Sequence, residues 1–251
     1  MQFFAPVALT VAGSDSGGEA GIQADLKTFA ALRAHGTSAI TGITAQNRKV
    51  VTRVEPCSPE MVRAQLEAVA GDYRIGAAKT GALFSAEIVR EVAGFFRRKC
   101  KAPLVVDPVF ISTSGRRLLQ HEGIELLRRE LLPLAALVTP NVAEAEVLAG
   151  EKIVTLEDLR GAAVKILKLF GCAALVKGGH FRGSSEAVDF LCTHEGEWML
   201  SAPRAKTRAL HGTGCTYSAA IAAWLARGKS LPKSVELAKE FVTQAIYQDI
   251  G

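Results

Sequence analysis

Short apolar segments alternate with amphipathic helical segments along this chain, and this alternation restricts its fold more than any other feature. Residues 7–11 have the composition of a buried strand, and residues 22–34 follow with apolar side chains at helical spacing. The same succession recurs: further strands are predicted at 38–43, 104–107, 136–139 and 173–176, and further helices at 59–69 and 156–170. Such alternation is typical of a parallel sheet covered by helices on both faces, so we predict an α/β fold.

The later part of the chain departs from this pattern once. Residues 189–192 and 197–200 are separated by His194-Glu195-Gly196, which predicts an antiparallel hairpin near one edge of the sheet. The 251 residues suit one α/β domain, and no linker, repeat or low-complexity block interrupts them. We therefore expect a single domain over residues 1–251.

Charge and cysteine usage limit the functional class. The net charge is +5, but the basic residues are dispersed and no aromatic residues interleave with them, so we expect no nucleic-acid partner. The five cysteines are scattered, without zinc-ligand spacing. The N-terminus lacks signal-peptide features, and no apolar run reaches the ~20 residues of a membrane span. We expect a reduced, cytoplasmic, soluble protein.

Polar residues follow several predicted strands at the point where each strand ends. Asp107 closes one strand, Asn141 comes just after another, and Lys177 follows a third. The carboxyl edge of an open α/β sheet is where ligands bind, so these residues predict a site there.

The run 211–216, His-Gly-Thr-Gly-Cys-Thr, precedes a long uncharged segment rich in alanine that predicts a buried helix. Glycines at a helix N-terminus favour an anion, and the same field is expected to lower the pKa of the Cys215 thiol. An anion cradle next to an activated thiol indicates phosphoryl transfer. The alternative is a glycine-rich turn with Cys215 as a small core residue.

A second glycine loop spans residues 13–21. It fails the nucleotide-binding P-loop pattern because Glu19 stands where lysine is required, and it lacks the dinucleotide fingerprint because Ser16 replaces the first glycine. It is a strand-to-helix turn that either approaches a ligand or serves structure alone. The pair Gln46-Asn47 follows a strand, and its amides either recognise a heterocycle or cap a turn.

Two carboxylates are candidate ligands for a metal. Asp107 and Glu144 offer the oxygen donors that suit Mg²⁺, which also bridges nucleotide phosphates. Both have structural alternatives, since Asp107 fits a helix cap and Asn141 with Glu144 fits a capping box. Lys177 either neutralises a phosphate or is a solvated surface lysine.

Taken together, these residues resemble the hydroxymethylpyrimidine/hydroxymethylpyrimidine-phosphate kinases of thiamine biosynthesis, a family of the ribokinase-like superfamily. The resemblance covers almost the whole chain in motif order. It rests on residues 12–18, 20–28, 44–47, 106–109, 139–141, 144–145, 177–180 and 211–216. It implies a three-layer α/β/α domain with a mostly parallel central sheet.

The resemblance also implies an activity and a set of roles. The expected reactions are two ATP-dependent steps, phosphorylation of an aminopyrimidine alcohol and then of its monophosphate, with Mg²⁺ as cofactor, in a homodimer. Gly212, Thr213 and Gly214 would form the anion hole and Cys215 would be the general base. Residues expected to hold the pyrimidine are Asp25, Gln46, Gly13, Ala20, Ala82 and Val109. Residues expected to serve the nucleotide are Asn141, Glu144, Lys177 and Asp107, the metal falling to Asp107 and Glu144.

The chain departs from the family pattern at several positions. Glu19 replaces a glycine, Ala82 stands where methionine is common, and Thr113 and Ala209-Leu210 replace more polar residues. Two other functions therefore stay open. One is a pyridoxal-type vitamin kinase, against which Cys215 and Gln46 argue. The other is a non-catalytic pyrimidine sensor.

Overall fold

Helices and strands alternate in a computed structural model that describes residues 5–47, 49–112, 114–179, 186–204 and 212–248. The strands are β1 (Val7–Asp15), β2 (His35–Gln46), β3 (Val51–Pro56), β4 (Ile75–Thr80), β5 (Leu104–Val106), β6 (Leu137–Val138), β7 (Ala173–Lys177), β8 (Glu186–Thr193) and β9 (Gly196–Pro203). The helices are α1 (Gly21–Ala31), α2 (Pro59–Asp72), α3 (Ala86–Arg98), α4 (His121–Leu126), α5 (Val142–Ala149), α6 (Leu156–Phe170), α7 (Thr213–Ala226) and α8 (Leu231–Gln248). Short π and 3₁₀ turns follow α4 at Leu127–Leu131 and Leu132–Leu134.

The strands of the described residues form one sheet in the order β3-β2-β1-β4-β5-β6-β7-β8-β9. Strands β2, β1, β4, β5, β6 and β7 are parallel to one another. The antiparallel strands lie at the two edges, β3 at one and the β8–β9 hairpin at the other. The predicted mostly parallel sheet and the predicted hairpin are confirmed.

Side chains of the central strands point alternately into two cores, as the period of two in a strand requires. Leu104 and Val106 of β5 enter the core shared with α2 to α6, whereas Val105 enters the core shared with α1, α7 and α8. The helices therefore cover both faces of the sheet. This is the three-layer α/β/α arrangement that the resemblance implied.

Two strands were absent from the sequence-based prediction. β4 lies at the centre of the sheet, but its Gly76, Ala77 and Ala78 carry too little apolar bulk to be recognised as a buried strand. The structure gives the reason for the small residues, since a Cβ on Gly76 would lie 3.1 Å from the carbonyl oxygen of Ala226 at the end of α7. β3 is a mostly exposed edge strand and lacks an apolar pattern.

The five cysteines all lie within the described residues, and none of them forms a disulfide. Among the helices of the described segments, none is both long enough and apolar enough to cross a bilayer.

The two-sided core makes a direct prediction about stability. Leu66 of α2 is 0 % exposed, whereas Leu169 of α6 is 52 % exposed, so the same Leu→Ala change tests burial alone. Leu66→Ala is expected to lower the free energy of unfolding by about 2–5 kcal/mol, through lost transfer energy and the cavity it leaves. Leu169→Ala is expected to stay within about 0.5 kcal/mol of the unaltered protein in urea denaturation. Equal losses in the two variants would contradict the assigned core.

Candidate active site

A cavity of about 340 Å³ opens at the carboxyl ends of the parallel strands, the edge at which sheets of this kind bind ligands. All but one of the residues predicted from the sequence line it. They are Gly13, Ala20, Gln46, Ala82, Asp107, Val109, Asn141, Glu144, Lys177, Gly212, Thr213, Gly214 and Cys215. The departures at Thr113 and Ala209-Leu210, and the histidines at 180 and 211, lie outside the described residues.

Asp25 is the exception. It does not line the cavity, which does not agree with the contact with a pyrimidine that we expected of it. Its side chain is 0 % exposed, and both carboxylate oxygens accept hydrogen bonds from Lys79 Nζ at 2.9 Å. Oδ2 also accepts one from the Thr10 hydroxyl at 2.6 Å. A buried charge is tolerated when it is paired and hydrogen-bonded in this way. Asp25 therefore supports the floor of the site instead of facing a ligand.

Lys79, the ion-pair partner of Asp25, lines the cavity, whereas Asp25 itself does not. It is fully buried yet lines the cavity, and the charges of Asp25, Cys215 and Asp107 all help to raise its pKa against the opposing effect of burial. Lys79 was not predicted as a site residue because strand β4 was not predicted from the sequence. The sequence feature that could have pointed to Lys79 is a single lysine after the small residues Gly76, Ala77 and Ala78.

The glycine turn before α7 meets the first glycine loop. Gly212 caps α7 in the left-handed region, with φ 78°, and a Cβ at this position would overlap the carbonyl oxygen of Glu19. Only glycine fits both the backbone angle and the close approach. The departure at Glu19 leaves this contact intact because it is made by the backbone.

The N-terminus of α7 faces the cavity, as the sequence predicted. Gly214 and Cys215 lie in the first helical turn, where backbone N–H groups have no acceptor within the helix. Lys177 Nζ lies 3.4 Å from the position that a Cβ on Gly214 would occupy. A helix N-terminus and an ammonium group thus converge on one point, an arrangement that favours an anion.

The pKa of the Cys215 thiol is raised above its usual value, so the sequence-based expectation of a lowered pKa is wrong. Burial raises the pKa of this thiol, and the charges of Asp107 and Asp25 raise it further, while Lys79 and the backbone of Gly21 act in the lowering direction. The helix field and Lys79 do not outweigh desolvation and two nearby carboxylates. The resting site therefore holds mostly the protonated thiol at neutral pH.

Asp107 is the centre of a buried polar cluster. Its Oδ1 accepts hydrogen bonds from Lys177 Nζ at 3.0 Å and the Thr139 hydroxyl at 3.3 Å, and its Oδ2 accepts one from the Ser218 hydroxyl at 3.1 Å. Asp107 is 3 % exposed. The alternative in which Asp107 only caps a helix does not describe these contacts, and Lys177 is not a solvated surface lysine.

Glu144 has the capping role that the sequence offered beside that of a metal ligand. Its carboxylate accepts the Asn141 N–H at 2.9 Å while Asn141 Oδ1 accepts the Glu144 N–H at 3.0 Å, so the capping box is confirmed. Burial raises the pKa of Glu144 to about 8, with Asp107 adding to the rise and Lys177 opposing it.

Asp107 and Glu144 could hold Mg²⁺ only if other ligands, such as water and phosphate oxygens, completed its coordination shell. Within the described residues no group of three or more His, Cys, Asp or Glu side chains is arranged to hold a metal ion. Asp107 and Glu144 both line the cavity and their charges interact. Mg²⁺ commonly takes one or two protein carboxylates and completes its shell with water and phosphate oxygens, which is the kind of site these two residues offer.

Gln46 lies at the end of the cavity formed by β1 and β2. Its backbone exchanges two hydrogen bonds of 2.9 Å with the Ser16 hydroxyl, which fixes the strand end against the first loop. Burial raises the pKa of Asp15, but hydrogen bonds from the Ala20 backbone and the Gln46 side chain, with others from the loop, hold it below its usual value. The Asp15 carboxylate accepts the N–H groups of Gly17, Glu19 and Ala20 and so orders the loop.

The opposite end of the cavity contains residues that the sequence analysis did not select. Asp189 of β8 accepts the Gly178 N–H at 3.0 Å and Lys239 Nζ at 2.6 Å, and it is 3 % exposed. Arg204 donates to the Gly179 carbonyl at 3.0 Å. These contacts fix the turn that follows Lys177. A carboxylate inside the otherwise apolar strand 189–192 was the available signal.

Residues 15–251 match the phosphomethylpyrimidine kinase family. The chain is 48% identical over 241 residues to the hydroxymethylpyrimidine/phosphomethylpyrimidine kinase of Streptomyces coelicolor, covering 96% of this chain and 88% of that protein. The chain belongs to the phosphomethylpyrimidine kinase family. It is therefore a kinase, and the mostly parallel ribokinase-like fold agrees with this.

Solved structures are similar along almost the whole chain. The crystal structure of phosphomethylpyrimidine kinase from Clostridium difficile superposes with a TM-score of 0.84 at 42% identity, covering 95% of this chain and 98% of that one. The pyridoxal kinase of Staphylococcus aureus in complex with AMP-PCP and pyridoxal gives a TM-score of 0.88 at 34% identity, covering 96% and 88%. The family thus shares its fold with kinases of another vitamin, and ATP is the expected phosphoryl donor.

The raised pKa of Cys215 is open to direct measurement. Iodoacetamide reacts with the thiolate, so alkylation of Cys215 at pH 7.5 is expected to be slower than that of glutathione. The rate should climb as the pH rises past the ordinary value of ~8.5 for a free thiol. Mass spectrometry of the Cys215 peptide separates it from the other cysteines. Faster labelling than glutathione at pH 7.5 would restore the expectation of an activated thiol.

Proposed function

We propose that this protein transfers the γ-phosphoryl group of ATP to 4-amino-5-hydroxymethyl-2-methylpyrimidine and then to the resulting monophosphate, giving the diphosphate used in thiamine biosynthesis. The observation that carries the proposal is that one cavity joins the Gln46 end to the Gly212–Cys215 turn and the Lys177–Asp107–Glu144 cluster. The groups that we assign to substrate recognition, anion binding and phosphate binding thus line one continuous space. The 48% identity to the hydroxymethylpyrimidine/phosphomethylpyrimidine kinase of Streptomyces coelicolor supports this choice of substrate.

We assign the substrate end to Gln46 with Gly13, Ala20, Ala82 and Val109, which line that part of the cavity. An amide offers a donor and an acceptor in one plane and so matches the alternating edge of an aminopyrimidine. Asp25 acts indirectly, by holding Lys79 in place.

We assign the phosphoryl end to the α7 N-terminus and to Lys177. Phosphoryl transfer needs positioning and neutralisation of charge more than covalent chemistry. The Gly212–Gly214 turn would stabilise the charge that builds on the transferred group, and Lys177 would neutralise nucleotide phosphates. Mg²⁺, when bound, would screen the phosphate charge, and Asp107 and Glu144, with Asn141 beside them, are the groups placed to hold it.

We assign the general base to Cys215, in the first turn of α7. A thiol of raised pKa is mostly protonated near neutrality, so the base-dependent step should speed up as the pH rises. The monophosphate needs no such help, because its second pKa of roughly 6 leaves it largely ionised already.

One activity assay distinguishes the proposed function from two alternatives. A pyridoxal-type kinase shares this fold, with a TM-score of 0.88 to the pyridoxal kinase of Staphylococcus aureus, but at 34% identity against 48% for the pyrimidine kinase of Streptomyces coelicolor. A non-catalytic sensor would retain binding without turnover. We further propose a homodimer acting in the cytoplasm, where free thiols such as these five persist.

The deciding experiment supplies the purified protein with ATP, Mg²⁺ and either the pyrimidine alcohol, its monophosphate or pyridoxal, and follows ADP release. Turnover of both pyrimidines, at a higher kcat/KM than for pyridoxal, is the expected result. Preference for pyridoxal would favour the first alternative. Binding of the pyrimidine by calorimetry without ADP release would favour the sensor.

Gln46→Ala should weaken use of the pyrimidine about tenfold or more, since a buried hydrogen-bond partner contributes roughly 1–3 kcal/mol. ATP affinity should stay within about twofold of the unaltered protein because Gln46 lies at the other end of the cavity. Calorimetric titration with each ligand measures both quantities. An unchanged pyrimidine affinity would remove Gln46 from the substrate site.

Cys215→Ser should slow phosphorylation of the alcohol by about 10²–10⁴-fold, the usual contribution of a general base. Phosphorylation of the monophosphate should fall less, since that substrate arrives ionised. Each step is followed separately, between pH 6.5 and 9. In the unaltered protein only the alcohol step should accelerate with pH. Equal losses in both steps would mean that Cys215 only shapes the anion hole.

A further inference from the structure

Phe84 has a backbone conformation that its side chain disfavours. Its φ of 62° places it in the left-handed region, which bulky residues seldom occupy. Such a conformation persists where the surrounding structure imposes it, and it is concentrated at ligand sites. Phe84 also lines the cavity described above.

The chain on both sides of Phe84 is fixed. The fully buried Thr41 hydroxyl donates to the Ala82 carbonyl at 2.6 Å, and the Gly81 N–H donates to the Val11 carbonyl at 2.9 Å. On the other side, Ser85 caps α3 by accepting the Ile88 N–H at 3.2 Å. Strand β4 and helix α3 thus hold a tight connection that turns the Phe84 ring inward.

Two glycines make room for that ring. A Cβ on Gly13 of β1 would lie 2.6 Å from Phe84 Cζ, and a Cβ on Gly42 of β2 would lie 2.8 Å from Cδ2. Any other residue at either position would displace the ring. Phe84 is 8% exposed, so the ring is packed between two strand backbones on one side and the cavity on the other.

The cavity surface next to the Phe84 ring is formed by a small side chain. Ala82, two residues before Phe84, lines the same part of the cavity with a single methyl group. Gln46 and Val109 line it as well. An apolar aromatic surface beside one amide is the composition expected of a site for a flat heterocycle, in which the ring contacts the face and the amide recognises the polar edge.

We propose that Phe84 is a specificity-determining residue, whose ring forms the aromatic wall against the planar ring of the alcohol substrate. This deepens the proposed function and rests on it. The wall selects planar aromatic alcohols over saturated ones, and it contributes to binding of the alcohol and not to transfer. Substitution should therefore raise KM for the alcohol and leave kcat within about twofold.

The test compares Phe84→Leu and Phe84→Gly with a matched core change. Leucine keeps apolar bulk without a flat face, and glycine relieves the backbone conformation but removes the ring. Phe95→Leu is the control, since Phe95 is 4% exposed in the core and is not among the described residues lining the cavity. Each protein is assayed for KM, kcat and thermal unfolding, with ATP and the pyrimidine alcohol varied separately.

Phe84→Leu should raise KM for the alcohol about threefold to tenfold, the range expected for one aromatic contact, and Phe84→Gly about tenfold or more. KM for ATP should stay within about twofold in both. Phe95→Leu should lower the unfolding temperature without changing either KM. Variants of Phe84 that behave like Phe95→Leu, losing stability alone, would overturn the proposal.

A second measurement needs no variant. With phenylalanine-labelled protein saturated with the pyrimidine alcohol, nuclear Overhauser contacts are expected between the Phe84 ring protons and the substrate methyl or methylene protons. Absence of such contacts in the saturated complex would overturn the assignment even if a variant failed to fold. If the unaltered protein neither binds nor phosphorylates the alcohol, the proposed function fails first, whereas normal activity with unaffected variants rejects Phe84 alone.

Discussion

The buried ion pair between Asp25 and Lys79 is the interaction on which the floor of the site depends. It joins α1 to the central strand β4, and the Thr10 hydroxyl ties it to β1. Removal of one partner from a pair of this kind typically costs about 3–5 kcal/mol, because the other charge is left buried and uncompensated. The pair therefore fixes where α1 begins relative to the sheet.

The start of α1 in turn sets the position of the Gly212–Cys215 turn. A Cβ on Gly21, the first residue of α1, would overlap the Gly13 carbonyl oxygen, so α1 lies directly on the end of β1. The backbone of Gly21 acts to lower the pKa of the Cys215 thiol, and the Glu19 carbonyl oxygen lies directly against Gly212. Residues far apart in sequence are thereby brought to one place, and the Gly212–Cys215 turn owes its position to packing by the first loop.

The charges around this turn are balanced before any ligand binds. Lys79 is paired with Asp25 and Lys177 with Asp107, and burial together with the charge of Asp107 raises the pKa of the Glu144 carboxyl. A polyanionic nucleotide would disturb this balance, because phosphate oxygens compete with Asp107 for Lys177. In the proposed function, a divalent cation arriving with the phosphates would offer Asp107 a replacement partner, which would be a physical reason for the two to bind together.

The α/β class, most strands and helix α6 were predictable from the chain itself, and all but one of the predicted site residues line the cavity. Periodicity and composition are local properties, and the polar residues at strand ends share one edge in any parallel sheet. The motifs at 12–28 and 211–216 pointed further, to the family. Strand β4 was not predictable in this way because its small residues are selected by packing against α7, which is not visible in its own sequence.

The remaining features were decided by tertiary structure alone. The sequence placed Cys215 at a helix N-terminus and so favoured a lowered pKa, but burial next to Asp107 and Asp25 reverses the direction. It placed Asp25 among the ligand-binding residues, but the pairing with Lys79 withdraws it from the cavity. Desolvation and ion pairing depend on which distant groups become neighbours, and Phe84 gains its position from glycines on two other strands. The sequence by itself determined which groups the site contains, and the fold determined their charge, their partners and which of them face a ligand.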